Sequence, residues 1–477
     1  MDKNKIAALI AGPLLFALLS LIHPFGLDVA ASKTLGIILW MLVWWISECI
    51  PMGATSLLPI LLFPFNGILT LDQVSTAYGN KYVFLFMGGF IIALAMEKWN
   101  LHRRLALNIV KKTGVGADRI ILGFFAASFL ISMWISNTAT ALMMFPIAAS
   151  VTKLLLHEDH KLHGKGEKNF AMTLMLSIAY GSSIGGMATL VGSPPNAAMA
   201  GILSGSDFNT TVSFSQWFKI GFPFALVLSI LSYLLLVKVI YPNRLGKFEL
   251  GTQIISSELN ALGKWKFEEK LVFVVFVTTA TLWIFQDMIS TWLKSHHIEF
   301  SDVTIGIAAG LILFILPSKK DKTAHILEWK DTEKLPWGVL LMFGGGMALS
   351  EGFKASGLIK QVTMWMNVLD TSNLFWYVSV LCLIGLILTA LMSNLAMVNI
   401  FVPIVAMLAI QMHIDPALFA IPVTISASCD FMFPMSTPPN AIAYSSGFIK
   451  AKHMFSAGLV LNFLSLFLLM LLIYFSV

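Results

Sequence analysis

Two short polar phrases recur in this chain, each inside a long apolar stretch, and their residue types can bind ions. Ser136-Asn137-Thr138 is followed by Gly192-Ser193-Pro194-Pro195-Asn196, and Ser393-Asn394-Leu395 by Ser436-Thr437-Pro438-Pro439-Asn440. Ser, Thr and Asn side chains, with carbonyls freed by broken helices, supply neutral oxygen ligands suited to a hard monovalent cation. A half-helix that begins at such a phrase presents oriented N–H groups and a partial positive charge to an anion's carboxylates. Pro-Pro ends a half-helix because it removes backbone donors and restricts the residue before it. Non-helical backbone at membrane depth is tolerated only where it lines a cavity.

The two phrase pairs belong to a duplicated unit. Each is preceded by a Gly-rich apolar helix, Phe86-Met87-Gly88-Gly89 or Phe343-Gly344-Gly345-Gly346, and 50 positions separate Phe86 from Ser136 and Phe343 from Ser393 alike. The glycine runs read as close helix packing. One Ser-Asn-Thr in a membrane helix is ordinarily an interhelical hydrogen bond. Two copies at matched spacing, each with a Pro-Pro-Asn phrase downstream, are instead the signature of a secondary transporter.

Composition sets the frame for this reading. Of 477 residues, 57% are hydrophobic and 12% charged, and the mean hydropathy is +0.82. Soluble domains carry roughly twice that share of charge, so the chain is an all-α polytopic membrane protein in the lipid bilayer. The net charge of +6 gathers in a few loops, where the positive-inside bias accounts for it without a nucleic-acid partner. Cys49, Cys382 and Cys429 are scattered and form neither a disulfide framework nor a zinc motif. The start at Met1-Asp2-Lys3-Asn4-Lys5 lacks a convincing cleavage site and reads as an uncleaved first helix. Glu48 before Pro51 reads as a structural partner at a helix end. His157, His160 and His163, with Glu158 and Asp159, read as a solvated loop face and not a metal site.

Ordinary spans fit at about 6–23, 34–50, 51–66, 82–97, 217–241, 269–293, 302–317, 337–353 and 454–475. Segments 119–152 and 373–410 are too long for one crossing and hold the Ser-Asn phrases in their middles. Segment 119–152 is flanked by Arg103, Arg104, Lys111 and Lys112 on one side and Lys153, Lys161, Lys165 and Lys168 on the other. Both flanks are therefore cytoplasmic, and the segment is expected to be a re-entrant hairpin. Segment 373–410 lacks basic flanks and is expected to enter from the opposite face. Segments 170–203 and 418–447 read as broken helices. The sequence thus predicts an inverted-topology repeat of about eleven transmembrane helices, with two re-entrant hairpins, two broken helices and a cytoplasmic N-terminus. Its parts are N-terminal scaffold helices at 1–81, repeat 1 at 82–241, a cytoplasmic loop with linking helices at 242–336, and repeat 2 at 337–477.

The four odd segments hold almost no ionisable side chain apart from Arg119 and Asp430. With no Arg or Lys at midplane depth, an anion's charge must be offset by co-bound cations and helix dipoles. This favours cation-coupled symport or exchange of one anion for another. Asp430 is a functional candidate by its depth, with helix capping or pairing as the equal alternative. An intramembrane enzyme is disfavoured, since no His-Glu-x-x-His pair, Asp-rich motif or Ser/His dyad lies in apolar segments. A channel needs a continuous pore, which re-entrant hairpins allow in principle.

The stretch Ser428-Cys429-Asp430-Phe431-Met432-Phe433-Pro434-Met435-Ser436-Thr437-Pro438-Pro439-Asn440-Ala441-Ile442 resembles the signature of the divalent-anion:sodium symporter family, the sodium-coupled di- and tricarboxylate and sulfate carriers. The resemblance extends over essentially the whole chain, including Glu48-Cys49-Ile50-Pro51. It implies a homodimeric elevator-type carrier in the cell (inner) membrane. Na⁺ would be the coupling ion and a small dianionic carboxylate such as succinate, malate or fumarate the substrate. By motif, one sodium would lie at Ser132, Ser136, Asn137 and the Gly192 backbone. A second would lie at Thr389, the Met392 backbone, Asn394 and the Ser436 backbone. The anion would touch Ser136, Asn137, Thr138, Ser393, Asn394, Leu395 and Pro438, with Ser193 and Thr437 close by. Two positions depart from the family. Leu395 stands where many dicarboxylate carriers have Thr, and Asp430 stands among expected small residues. They keep open a sodium-independent exchanger of citrate or tartrate against succinate.

Overall fold

The computed structural model describes residues 3–154, 164–205, 208–246, 249–294, 300–319, 324–358, 361 and 374–476. The chain opens with α1 (Lys3–Ile22) and α2 (Val29–Ser47), which pack together, followed by the short α3 (Met52–Thr55), α4 (Leu58–Phe65) and α5 (Leu71–Tyr78). The Gly-rich α6 (Lys81–Lys98) leads into α7 (Leu101–Thr113). Then α8 (Ala117–Ser132) and α9 (Asn137–Lys153) bracket the first Ser-Asn phrase. In the same way, α10 (Lys165–Met187) and α11 (Pro194–Leu203) bracket the first Pro-Pro-Asn phrase. After α12 (Phe214–Leu234) come α13 (Glu249–Ala261), α14 (Phe267–Ile284), α15 (Gln286–Lys294) and α16 (Asp302–Ile315). The arrangement then recurs. The Gly-rich α17 (Trp337–Ala355) precedes α18 (Leu374–Thr389) and α19 (Asn394–Gln411), which flank the second Ser-Asn phrase. Next, α20 (Pro416–Ser428) and α21 (Pro438–Ser445) flank the second Pro-Pro-Asn phrase, and α22 (Ala451–Ser476) follows.

Among the described residues, seven helices are long and apolar enough to cross a membrane, or eight counting one bent pair. Shorter apolar helices, Asp302–Ile315, Leu374–Thr389 and Pro416–Ser428, accompany them. Two expected spans have a different form. The stretch 51–66 is split at Ser56 and Leu57, with Pro59 in the first turn of α4 and Pro64 near its end. The stretch 269–293 bends by 73° between α14 and α15. Its second arm carries Gln286 and Asp287, which are bonded to the Phe300 carbonyl (3.0 Å) and the Ser213 hydroxyl (3.0 Å). Those polar partners hold α15 across the bundle end and away from the apolar path.

The core is continuous because the Gly-rich helices come close to their neighbours. A Cβ added at Gly88 of α6 would lie 2.6 Å from the Gly306 carbonyl carbon of α16, so only glycine fits that crossing. The two halves meet at the residues that began the matched spacing, since the Phe86 and Phe343 rings pack edge-on at 4.9 Å. Glu48 caps α2 in a left-handed conformation, and its carbonyl accepts from Lys5 Nζ at 3.1 Å, which is a helix-end role. The three cysteines are free and buried. The loop histidines His157, His160 and His163 lie outside the described residues.

One end of the bundle carries a polar network joining distant loops. Lys98 pairs with Asp331 at 2.7 Å, Arg103 with Glu258, and Asp118 accepts from Lys238 (2.6 Å) and Asn243 (2.7 Å). Asn169 donates to the Pro242 carbonyl at 2.8 Å. The start of α8 and the start of α10 therefore lie at the same end, where α9 also packs on α13. Arg104, next to Arg103 on α7, makes a separate buried pair. Its guanidinium pairs with buried Glu269 at 2.5 Å, donates to the carbonyls of Gly263 (2.9 Å) and Leu262 (3.2 Å), and faces the Trp265 ring. Its basic, amphipathic helix α7 was not foreseen, because Arg104's partner lies 165 residues away. Removing one member of a buried pair strands the other charge, at a cost of about 3–5 kcal/mol. Arg104→Ala should lower the thermal unfolding midpoint of the purified protein markedly, whereas the exposed Lys219, 3.8 Å from Asp287, should tolerate Ala. Equal midpoints for the two variants would remove the Arg104 pair from the account.

Candidate functional site

The site is built from four helix ends. In the first half α8 stops at Ser132 and α9 begins at Asn137, with Ser136 as its N-cap, the Ser136 side chain accepting from Ala139 N at 3.2 Å. In the second half α18 stops at Thr389 and α19 begins at Asn394, with Ser393 as its N-cap, accepting from Ala396 N at 3.3 Å. A hydroxyl then reaches across each turn to a carboxamide. Ser132 Oγ donates to Asn137 Oδ1 at 2.7 Å, and Thr389 Oγ1 donates to Asn394 Oδ1 at 2.9 Å. Thr389 Oγ1 also lies 2.6 Å from the Ala427 carbonyl oxygen of the neighbouring broken helix. Each turn thereby brings together a hydroxyl oxygen, an amide oxygen and the carbonyls of a broken backbone. These are neutral donors of the kind a monovalent hard cation takes.

The Pro-Pro-Asn phrases form the other side. Pro194 and Pro195 occupy the first turn of α11, and Pro438 and Pro439 that of α21, where a missing N–H costs nothing. The asparagines at the phrase ends then bind the unwound strand. Asn196 Nδ2 donates to the carbonyls of Gly186 (3.0 Å) and Thr189 (2.8 Å). Asn440 Nδ2 donates to the carbonyls of Asp430 (3.1 Å) and Phe433 (3.1 Å). In both halves the accepting carbonyls lie ten and seven residues before the asparagine. An unpaired carbonyl in hydrocarbon costs several kcal/mol, so these carboxamides make the breaks tolerable. They leave Asn196 Oδ1 and Asn440 Oδ1 buried without a partner, which are two further oxygens free to meet a cation.

The expected residues fall into three settings. Ser136, Asn137 and Thr138 at one tip, and Met392, Ser393 and Asn394 at the other, are half-buried. Ser132, Gly192, Ser193, Thr389 and Thr437 are buried behind them, Ser436 is half-buried and Pro438 exposed. Leu395 is buried at 6% exposure, so the second tip presents an apolar residue where the first presents the Thr138 hydroxyl. The helices that carry the two tips pack across the halves, each against the other half's Pro-Pro helix. Thr189 Oγ1 donates to the Met133 carbonyl, α9 packs on α21, and α11 packs on α19. Two cavities, of about 300 and 580 Å³, lie away from the phrases. The larger lies beside Lys81, Asp287 and Asp302.

Three contributions were not assigned from sequence. Asn196 and Asn440 close the two repeated motifs, and that repetition is the sequence signal of their role. Asn399 of α19 donates to the Met342 carbonyl of α17 at 3.0 Å and was not singled out. Gly186 is the least visible. A Cβ there would come within 2.9 Å of Asn137 Nδ2, so glycine alone allows α10 to approach the first tip. Gly186→Ala should therefore displace the Asn137 carboxamide and abolish solute uptake in a protein that still elutes as a folded species. Uptake at the parental rate would show that the contact is dispensable.

A family profile described as the sodium:sulfate symporter transmembrane region matches residues 3–476. The sodium-dependent dicarboxylate transporter SdcS of Staphylococcus saprophyticus is 38% identical over all of this chain and 92% of its own length. Its Staphylococcus aureus counterpart is 39% identical over 99% of this chain and 91% of its own. Among solved structures, the YdaH transporter of Alcanivorax borkumensis, described as having an unusual topology, aligns over 83% of this chain and 85% of its own. The TM-score is 0.55 at 16% identity, a likeness of fold.

Proposed function

The chain belongs to the sodium:sulfate symporter transmembrane family, and from that membership we propose that it couples sodium to the uptake of C4-dicarboxylates such as succinate, malate and fumarate. It is a transporter and not an enzyme. The observation that carries this reading is the pair of matched hydroxyl-to-asparagine contacts, Ser132 to Asn137 and Thr389 to Asn394. Two sites of neutral oxygen accept monovalent cations, and two such cations balance a dianion. The first sodium takes Ser132, Ser136, Asn137 and the Gly192 backbone. The second takes Thr389, the Met392 backbone, Asn394 and the Ser436 backbone. The dicarboxylate lies between the tips against Ser136, Asn137, Thr138, Ser193, Ser393, Asn394, Leu395, Thr437 and Pro438. Helix N-termini at Asn137 and Asn394 add partial positive charge.

The two helix–turn–helix units act as re-entrant hairpins of an inverted repeat, 82–241 against 337–475. Shared contacts at one bundle end support this, since Asp118, Lys238, Asn243 and Asn169 lie together there with the basic loops. That end is cytoplasmic by charge, which puts the N-terminus inside in a cell (inner) membrane. The carrier works as a homodimer in which the phrase-bearing helices move as one body, elevator-fashion.

Uptake of labelled succinate into proteoliposomes tests the coupling. Sodium outside should drive accumulation into vesicles holding no anion, and potassium should not. Uptake that ignores sodium and requires internal anion would make the protein an exchanger. Asn137→Ala and Asn394→Ala should each abolish uptake in folded protein, and either one transporting at the parental rate would remove that site. Leu395→Thr restores a hydroxyl worth about 0.5–1.5 kcal/mol as a hydrogen bond. It should raise the succinate-to-citrate preference several-fold, and an unchanged ratio would count against contact at that position.

A further inference from the structure

The two halves repeat the backbone bonding of their breaks, while the side chains along the unwound strands differ. Counting back ten positions from the anchoring asparagine gives Gly186 in the first half and Asp430 in the second. The backbone role is the same at both, since each carbonyl accepts from that asparagine, at 3.0 and 3.1 Å. The side chains differ by a carboxylate. Asp430 is 1% exposed, and neither of its carboxylate oxygens has a hydrogen-bond partner.

Its surroundings explain why. The donors that hold the unwound strand after α20 go mainly to backbone carbonyls. Asn440 serves Asp430 and Phe433, Tyr180 Oη donates to the Phe431 carbonyl at 3.1 Å, and Ser436 Oγ donates to the Phe433 carbonyl at 2.7 Å. None of these reaches the carboxylate. Capping does not occupy it either, because the N-cap of α21 is Thr437, whose side chain accepts from Asn440 N at 3.3 Å. Among the described residues no Lys, Arg or His pairs with it. An ionised carboxylate stripped of water and donors is costly unless a cation meets it. Ser436 Oγ lies 3.5 Å from the Asp430 carbonyl oxygen, and Ser436 supplies backbone to the second sodium in the reading above. The buried Asn440 Oδ1, also without a partner, adds another acceptor on the same strand.

We propose that the Asp430 carboxylate is an anionic ligand of the cation at the second phrase, a fixed charge that the first phrase lacks. The inference rests on the sodium-coupled reading and sharpens it by making the two cation sites unequal. The second site combines one carboxylate with neutral oxygens and holds its cation more tightly than the first. It fills first and stays occupied when no dicarboxylate is present. The first site, built on Gly186, offers neutral oxygens only and fills with help from the dianion's own charge.

The test uses the purified full-length protein without substrate, comparing Asp430→Asn and Asp430→Ala with the parent. Thermal unfolding midpoints are followed as sodium replaces potassium at constant ionic strength, and sodium-dependent succinate uptake is measured alongside. The parent should be stabilised by low sodium. Both variants should keep the parental midpoint in potassium yet need about tenfold more sodium for half the stabilisation, and for half-maximal uptake at saturating succinate. Asn preserves the shape of a neutral acid and Ala removes the group, so a packing role would separate the two variants while a charge role moves both together. A folded variant with the parental sodium requirement overturns the assignment and leaves symport standing. A parent whose stability and uptake both ignore sodium overturns symport and this inference together.

Discussion

A carbonyl released inside a membrane must find a donor, because hydrocarbon offers no water to replace a helical hydrogen bond. Everything at this site follows from how that demand is met. The breaks after α10 and α20 survive because Asn196 and Asn440 each give their amide protons to two strand carbonyls. Those bonds orient each carboxamide so that its oxygen is left over, buried and unpartnered. The same residue thus closes the backbone account and opens a ligand. A shorter version of this logic runs at the tips, where Ser132 and Thr389 hold Asn137 and Asn394 across turns that would otherwise be loose.

Because the same solution is used twice, its departures are informative. Thr138 and Leu395 are equivalent positions, and so are Gly186 and Asp430. The first pair changes what the tips can offer a bound anion, a hydroxyl on one side and an apolar surface on the other. The second changes what the strands offer a cation. Gly186 must lack a side chain for α10 to reach Asn137, whereas α20 ends earlier, at Ser428, and leaves room for a carboxylate in the unwound strand. Helix length therefore decides which chemistry each half can carry. The rigid frame around them, with its Gly88–Gly306 crossing and the Phe86–Phe343 contact, keeps the tips in register.

Much of this was legible in the chain because the signals were local and repeated. Matched spacing and the polar phrases marked where the helices break, and helices do begin at Asn137 and Asn394. The Pro-Pro phrases, expected to end half-helices, instead open α11 and α21, because a first-turn proline gives up no helical bond. What remained hidden depends on distant partners. Arg104 reads as one more basic residue until Glu269 is found beside it, and Asn399 reads as a polar residue in a helix until Met342 meets it. The bend before Gln286 escaped for a related reason, since its polar partners Ser213 and Phe300 lie in other segments. Hydropathy measures how apolar a stretch is and carries no information on which polar residue has a partner waiting.

The central claim is that two oxygen sites, one beside each Ser-Asn turn, carry sodium together with a dianion. It is tested most directly by counting labelled sodium and labelled succinate entering the same proteoliposomes. The account predicts that succinate draws in at least two sodium ions per molecule, and that Thr389→Ala lowers this ratio or stops both fluxes together. Succinate accumulating while no sodium enters would contradict it.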